Sequence, residues 1–328
     1  MPTRLIRRGL AALTLLAAGS ALLSATSASA QQAPSFPSRP IQMLIGFPAG
    51  GGADLIARSL QNTFQAQLGQ PLVIRNVTGA GGTIASNQVV QAQPDGHFVL
   101  FAPLGGGTVY MPHVLSIPFA RDALRPVCAV YDGPGTLMVA TDSPFRTPQE
   151  AIAAIRARPG TLNYGTPGAG SPAHIAMAGL ARALNLDIEH VPFRGSADIA
   201  LAMRAGQVHF FADAFNIATQ LELRPIAVFT REKLAMAPEL PLMRDLGYDF
   251  QFSIHGGIFV SRTTPEPIVQ RWEAACRATL QQPEALAALE RMRVLPNFQT
   301  GADYAAFLER EHQQVGRIVR EAGISRQD

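Results

Sequence analysis

Ile41-Gln42-Met43-Leu44-Ile45-Gly46-Phe47-Pro48-Ala49-Gly50-Gly51-Gly52-Ala53-Asp54-Leu55-Ile56-Ala57-Arg58 reads as a strand, a glycine-rich turn and the first turns of a helix. The apolar run from Ile41 to Phe47 is bounded by turn residues, and a helical pattern extends from Ala53 to Leu68. The same order returns at Leu72 to Val77, Thr78-Gly79-Ala80-Gly81-Gly82 and a helix from about Thr83 to Gln93. A third strand, Phe98 to Ala102, ends in Pro103 to Gly107. Strand, glycine loop and helix in repetition predict an α/β fold built on parallel sheet.

Further along, two strand-like runs between Val127 and Thr141 flank Asp132-Gly133-Pro134-Gly135, a crossing point between domains. Thr147-Pro148-Gln149-Glu150 is a capping box that opens a helix through Arg156. Asn163 to Gly165, Ile188 to Val191, Val208 to Ala212 and Arg224 to Thr230 read as strands, and Ala197 to Ala205 as a helix. Ser253 to Val260 is extended and apolar and is expected to return to the first domain. Helices follow at Pro265–Leu280, Pro283–Met292 and Tyr304–Ala322, the last with Phe307, Glu311, Val315 and Ile318 near one stripe.

The 328 residues suffice for two ordinary domains, and 47% hydrophobic against 16% charged residues excludes a disordered chain. Arg4, Arg7 and Arg8 precede an apolar Leu10–Leu23 run and the small residues Ala28-Ser29-Ala30, the pattern of a cleaved secretory leader. Cleavage is expected after Ala30, by the Sec or the twin-arginine route. Without those three arginines the chain carries 24 basic against 24 acidic residues, which argues against nucleic acid as a partner. Cys128 and Cys276 are an even pair, free as buried thiols or joined in an oxidising compartment.

Several chemistries are missing. Lys233 is the one lysine and lies outside any P-loop, Gly79-Ala80-Gly81-Gly82 fails the dinucleotide fingerprint at Ile84, and there is no G-x-S-x-G elbow. The seven histidines and two cysteines show no metal-ligand spacing, so neither metal nor other cofactor is expected. Ser171 and His174 share a helical turn, which suits a nucleophile–base pair but is read more simply as a helix cap. What is present are three glycine-rich loops, Pro48–Gly52, Gly79–Gly82 and Gly168–Ser171, each between a strand and a helix. Helix starts expose amides that have no intrahelical partner, and such ends bind carboxylate as well as phosphate. Taken singly, each loop could equally be no more than a tight turn.

Pro37-Ser38-Arg39-Pro40-Ile41 and Phe47-Pro48-Ala49-Gly50-Gly51 with Asp54 resemble the opening of the Bug/TctC family, periplasmic solute-binding receptors of tripartite tricarboxylate transporters. The likeness continues through Leu68-Gly69-Gln70-Pro71, Pro94-Asp95-Gly96, Tyr164-Gly165-Thr166-Pro167-Gly168, His190-Val191-Pro192-Phe193-Arg194-Gly195, Gly206-Gln207-Val208 and Ala322-Gly323-Ile324. It departs at His255-Gly256, where an aromatic Trp is usual, at Arg75-Asn76-Val77-Thr78, and in a shortened stretch between Ala214 and Leu223. The resemblance implies a two-domain periplasmic binding protein (flytrap) fold, each domain a mainly parallel sheet flanked by helices, joined by crossover strands. Domain one would take residues 36–131 plus 253–328 and domain two residues 132–252. Phe47, Pro48 and Ala49 would hold water that bridges a ligand carboxylate. Gly81, Gly82 and Thr83, with Thr166, Gly168, Gly170, Ser171 and His174, would supply polar contacts, and Asp213 and His255 would lie near the cleft. His255 could touch ligand or simply fill the space of the Trp. The expected role is capture of a small carboxylate for membrane permease subunits by a monomer that makes and breaks no bond. Two other readings keep the same loops: a ligand sensor docking on a signalling receptor, and an exported hydrolase using Ser171, His174 or Asp213.

Overall fold

A computed structural model describes residues 36–326, and the leader and its cleavage point lie outside the described residues. Two sheets organise the chain. The first is formed by β1 (Ile41–Ile45), β2 (Leu72–Asn76), β3 (Phe98–Pro103), β4 (Leu124–Asp132), β10 (Gly256–Ser261) and β11 (Leu295–Thr300), in the order β11-β4-β10-β3-β1-β2. The second is formed by β5 (Gly135–Ala140), β6 (Asn163–Thr166), β7 (Glu189–Pro192), β8 (Phe210–Ala214) and β9 (Leu223–Val228), in the order β7-β6-β8-β5-β9.

Both sheets fit the expected α/β architecture, with most strands running one way and the remainder against them. Pairing is parallel for β1 with β2 and β3, and for β6 with β7 and β8, where helices make the connections. It is antiparallel for β10 with β3 and β4, β11 with β4, and β5 with β8 and β9. The physical reason is the path between sheets. A strand that arrives from the other sheet enters from the opposite end and needs no helical crossover, so it pairs antiparallel.

Alternation sets the layers. Ile41, Met43 and Ile45 face one side of the first sheet, packing with Ile56, Leu60 and Phe64 of α1 (Gly52–Leu68) and Trp272 of α8 (Glu266–Thr279). Leu44 faces the other side, with Ala85 and Val89 of α2 (Thr83–Gln91) and Tyr304, Leu308 and Val315 of α10 (Gly301–Glu321). The buried stripe of α10 is thus Tyr304, Leu308, Glu311, Val315 and Val319, with Phe307 and Ile318 at its margin rather than at its centre. Trp272 is fully buried, and its indole N–H donates to the Gly96 carbonyl at 3.1 Å, which satisfies the one polar group the ring takes inside.

In the second sheet Leu137 and Val139 face α4 (Pro148–Ala157) and α5 (Pro172–Ala183), while Met138 and Phe211 face α6 (Ser196–Arg204). The expected capping box is in place: Thr147 Oγ1 accepts from the Glu150 amide and Glu150 Oε2 accepts from the Thr147 amide. Such a box contributes about 1 kcal/mol.

The two lobes meet at paired backbone crossings. Gly135 N–H donates to Phe252 O at 2.9 Å, and Ile254 N–H donates to Gly133 O at 2.8 Å. A third contact comes from α10, whose Ile318 packs into the cores of both lobes, while Ile175 of α5 joins the core of the first. Cys128 of β4 and Cys276 of α8 form a disulfide inside the first lobe, with both residues fully buried. No described helix is long and apolar enough to cross a membrane.

Candidate functional site

A cleft of about 720 Å³ opens beside the crossings, lined by residues from both lobes. On the first lobe, Phe47 and Pro48 lead into Gly50, Gly51 and Gly52 at the start of α1, and Gly81 precedes α2. On the second, the lining includes Ser171 and Pro172 at the start of α5, Gly195 and Ser196 at the start of α6, and Ala214 and Asn216 at the start of α7 (Phe215–Gln220). Helix N-termini from both lobes therefore point into one space. Those of α1 and α6 have no side-chain cap, which leaves their first amides open to a ligand, whereas the leading amides of α2 and α7 are already taken, Thr83 N–H by Ala80 O and Phe215 N–H by Pro134 O.

The first loop is held from behind. Asp54, 2% exposed, accepts from Gly50 N–H at 2.9 Å, Arg58 Nε at 3.0 Å and Asn76 Nδ2 at 3.0 Å, and Asn76 Nδ2 also donates to Phe47 O. Burial works to raise the Asp54 pKa, but the hydrogen bonds from Arg58, Gly50 and Asn76 bring it below the ordinary value. The carboxylate stays charged and fixes the Pro48–Gly52 turn. The second loop passes through left-handed backbone at Gly81 (φ 62°) and Gly82 (φ 93°), a conformation that glycine adopts at little cost.

Of the residues singled out by sequence, Phe47, Pro48, Gly81, Ser171 and Asp213 line the cleft. Ala49, Gly82, Thr83, Thr166, Gly168 and Gly170 belong to the same loops without lining it. The two threonines serve their own turns, Thr83 Oγ1 donating to Ala80 O and Thr166 Oγ1 donating to Gly168 O. Ser171 Oγ accepts from the His174 amide at 3.3 Å, the cap geometry. The His174 imidazole turns away from that hydroxyl, its Nδ1 accepting from Gly170 N–H at 2.9 Å, and it borders a second cavity with Tyr164 and Arg182. Burial, and then the neighbouring His190, push the His174 pKa down to about 4, so the ring is neutral at physiological pH. His255 lies outside the cleft, 1% exposed, with its ring edge-on to Phe307 at 4.4 Å between centroids.

Asp213 is the one acid on the cleft lining. Its Oδ2 accepts from Ser196 Oγ at 2.9 Å and its Oδ1 from the Ala214 amide at 2.8 Å. Burial nonetheless pushes its pKa up to about 6 from the ordinary 3.8. The folded state therefore binds the proton more tightly than the unfolded chain, and this group's contribution to stability is full below pH 3.8 and lost as pH rises through 6. Asp213→Asn should change the melting temperature little at pH 4 and raise it relative to wild type at pH 7, followed by fluorimetry without ligand. A constant difference across that range would show that the carboxyl titrates normally.

Sequence reading passed over Arg194, Ser196 and Asn216. Gly195 and Ala214, which start two of the helices, sit in no run of glycines, so the loop signal that marked the other turns was absent. Their backbone geometry depends on where β7 and β8 end, and those ends are fixed by the sheet.

Comparison with known proteins agrees with this architecture. The model of the tripartite tricarboxylate transporter family receptor matches residues 56–324. A UPF0065 protein of Bordetella pertussis is 31% identical over 307 residues, covering 92% of this chain and 95% of the relative. The structure of periplasmic binding protein BugD superposes with a TM-score of 0.77 at 27% identity, over 89% of this chain and all of that one. MatC from Rhodopseudomonas palustris with bound malate does so at 0.75 and 27%, over 87% of this chain and all of that one. With cleft, fold and family model in agreement, the chain belongs to the tripartite tricarboxylate transporter receptor family.

Proposed function

We propose that the protein captures a small organic carboxylate in the cleft between its lobes and delivers it to the membrane subunits of a tripartite tricarboxylate transporter. The observation that carries this reading is the convergence of uncapped helix N-termini from both lobes on one space. A hydrogen bond to a charged acceptor contributes about 1.5–3 kcal/mol, so four such amides supply about 6–12 kcal/mol against an association cost of about 4 kcal/mol or more. Because the ligand touches both lobes only when they close on it, binding shifts the population toward the closed form. The malate bound by MatC, a relative at 27% identity, supports a carboxylate ligand.

The same reading places residues 1–30 as a cleaved leader and the mature protein in the periplasm as a monomer. Residues 36–131 with 253–328 form one domain and 132–252 the other. The two loops of the first lobe and the Thr166–Ser171 loop of the second hold the anion, and no bond is made or broken. Titration calorimetry of the mature protein with malate and other small carboxylates tests it, with saturable binding expected. Ser171→Ala should weaken the affinity about 10- to 100-fold, the loss of one hydrogen bond to a charged acceptor. Absence of binding across the set, or turnover of any member, would overturn the reading.

A further inference from the structure

We propose that Arg194 reads a second carboxylate on the solute and makes the cleft prefer dianions to monoanions. The inference rests on the capture of a carboxylate and adds to it the number of charges the ligand carries. Arg194 is the one Lys, Arg or His among the residues that line the cleft. Its guanidinium makes no hydrogen bond or ion pair with any described residue, Asp213 on the same lining included. What sets it apart from the chain's other unpaired arginines is its place on the cleft wall.

The backbone on either side of it is fixed. Phe193 N–H donates to Thr166 O at 2.8 Å, and Gly195 O accepts from Ile199 N–H at 3.3 Å. An arginine with a pinned base and a free, planar five-donor head is suited to bidentate pairing with a carboxylate. Next to it, a Cβ added at Gly195 would meet nothing within 4 Å, so there is room for a ligand beside the guanidinium. The helix starts of the first lobe take one carboxylate, and Arg194 reaches the other from the second lobe.

The test is titration calorimetry of wild type, Arg194→Gln and Arg194→Lys with malate, succinate and glutarate, each beside the monoacid in which one carboxylate is replaced by methyl. Wild type should bind each diacid about 10- to 100-fold more tightly than its monoacid, the equivalent of one charge-assisted pair. Arg194→Gln should reduce that ratio to within about threefold with monoacid affinity unchanged, and Arg194→Lys should keep part of it, as a point charge without the fork. Equal loss for diacids and monoacids, or an unchanged ratio, would overturn the assignment of Arg194 while leaving carboxylate capture intact. Failure of wild type to bind any of the acids would remove both. Because the side chain is exposed and unpaired, the melting temperature of the ligand-free variants should match wild type.

Discussion

Replacing Cys128 and Cys276 together by alanine lowers the melting temperature by roughly 10 °C, at about 2 °C per kcal/mol for a chain of this size. The disulfide closes a loop across 148 residues of sequence, so cutting it frees an unfolded chain that was heavily constrained. On the chain-entropy account, a loop of that length is worth about 5 kcal/mol. That is a large part of the 5–15 kcal/mol that separates folded from unfolded protein. Both cysteines are fully buried, so the substitutions also leave a void between β4 and α8. Scanning calorimetry of the double variant beside oxidised and reduced wild type measures the effect. Equal melting temperatures in all three would show that the bridge contributes nothing. Export to an oxidising compartment, as proposed, is where such a bond persists.

The largest expected loss of binding comes from Gly46→Ala. Gly46 follows β1 just before Phe47 and lies against Gly82, the residue that precedes α2. A methyl group there would stand 2.5 Å from Gly82 Cα and 3.1 Å from Gly82 O. Neither is the end of a flexible side chain, so the two loops must part by about an ångström to restore ordinary contact. Phe47 and Pro48 move with one loop and Gly81 with the other. Binding groups have to stay within about 0.5 Å of their working positions, so the affinity for malate should drop by about 100-fold or more. Circular dichroism should keep its native shape, since the contact lies at the tips of the elements and not in the core. Wild-type affinity in the variant would mean that the contact between the loops does not set the geometry of the cleft.

Much of this arrangement could be read from residue order because local rules dictate it. Gly50–Gly52 and Gly79–Gly82 announce turns wherever they stand, and the Thr147–Glu150 box announces a helix start. β11 gave no such signal. Leu295-Pro296-Asn297-Phe298-Gln299-Thr300 is an edge strand with a proline, no fully buried residue and a register shift against β4, so neither alternation nor a buried run marks it. The six-residue α7 lies in the stretch that looked merely shortened. The opposed direction of β5 and β10 carried no local signal for the same kind of reason, since it depends on where distant segments re-enter a sheet. The cleft was legible on the glycine side and silent at Arg194 and Asn216, whose roles depend on which loops the fold brings together.

The seat of Ile318 bears on how the lobes can move. Glu311 lies beside His255, next to the return crossing, at 4.0 Å between Oε2 and Nε2. Ile318 is two turns further along α10, about 10 Å from that point. There a Cβ added to Gly179 of α5 would come 3.1 Å from Ile318 Cγ2, so the bare glycine surface is in near contact with the isoleucine. A body tied only at its two crossings could twist as well as swing. This third, noncovalent bearing is smooth on one side, resisting separation while letting the surfaces slide. A lobe rotation that preserves this bearing would turn about a line running from the crossings along α10.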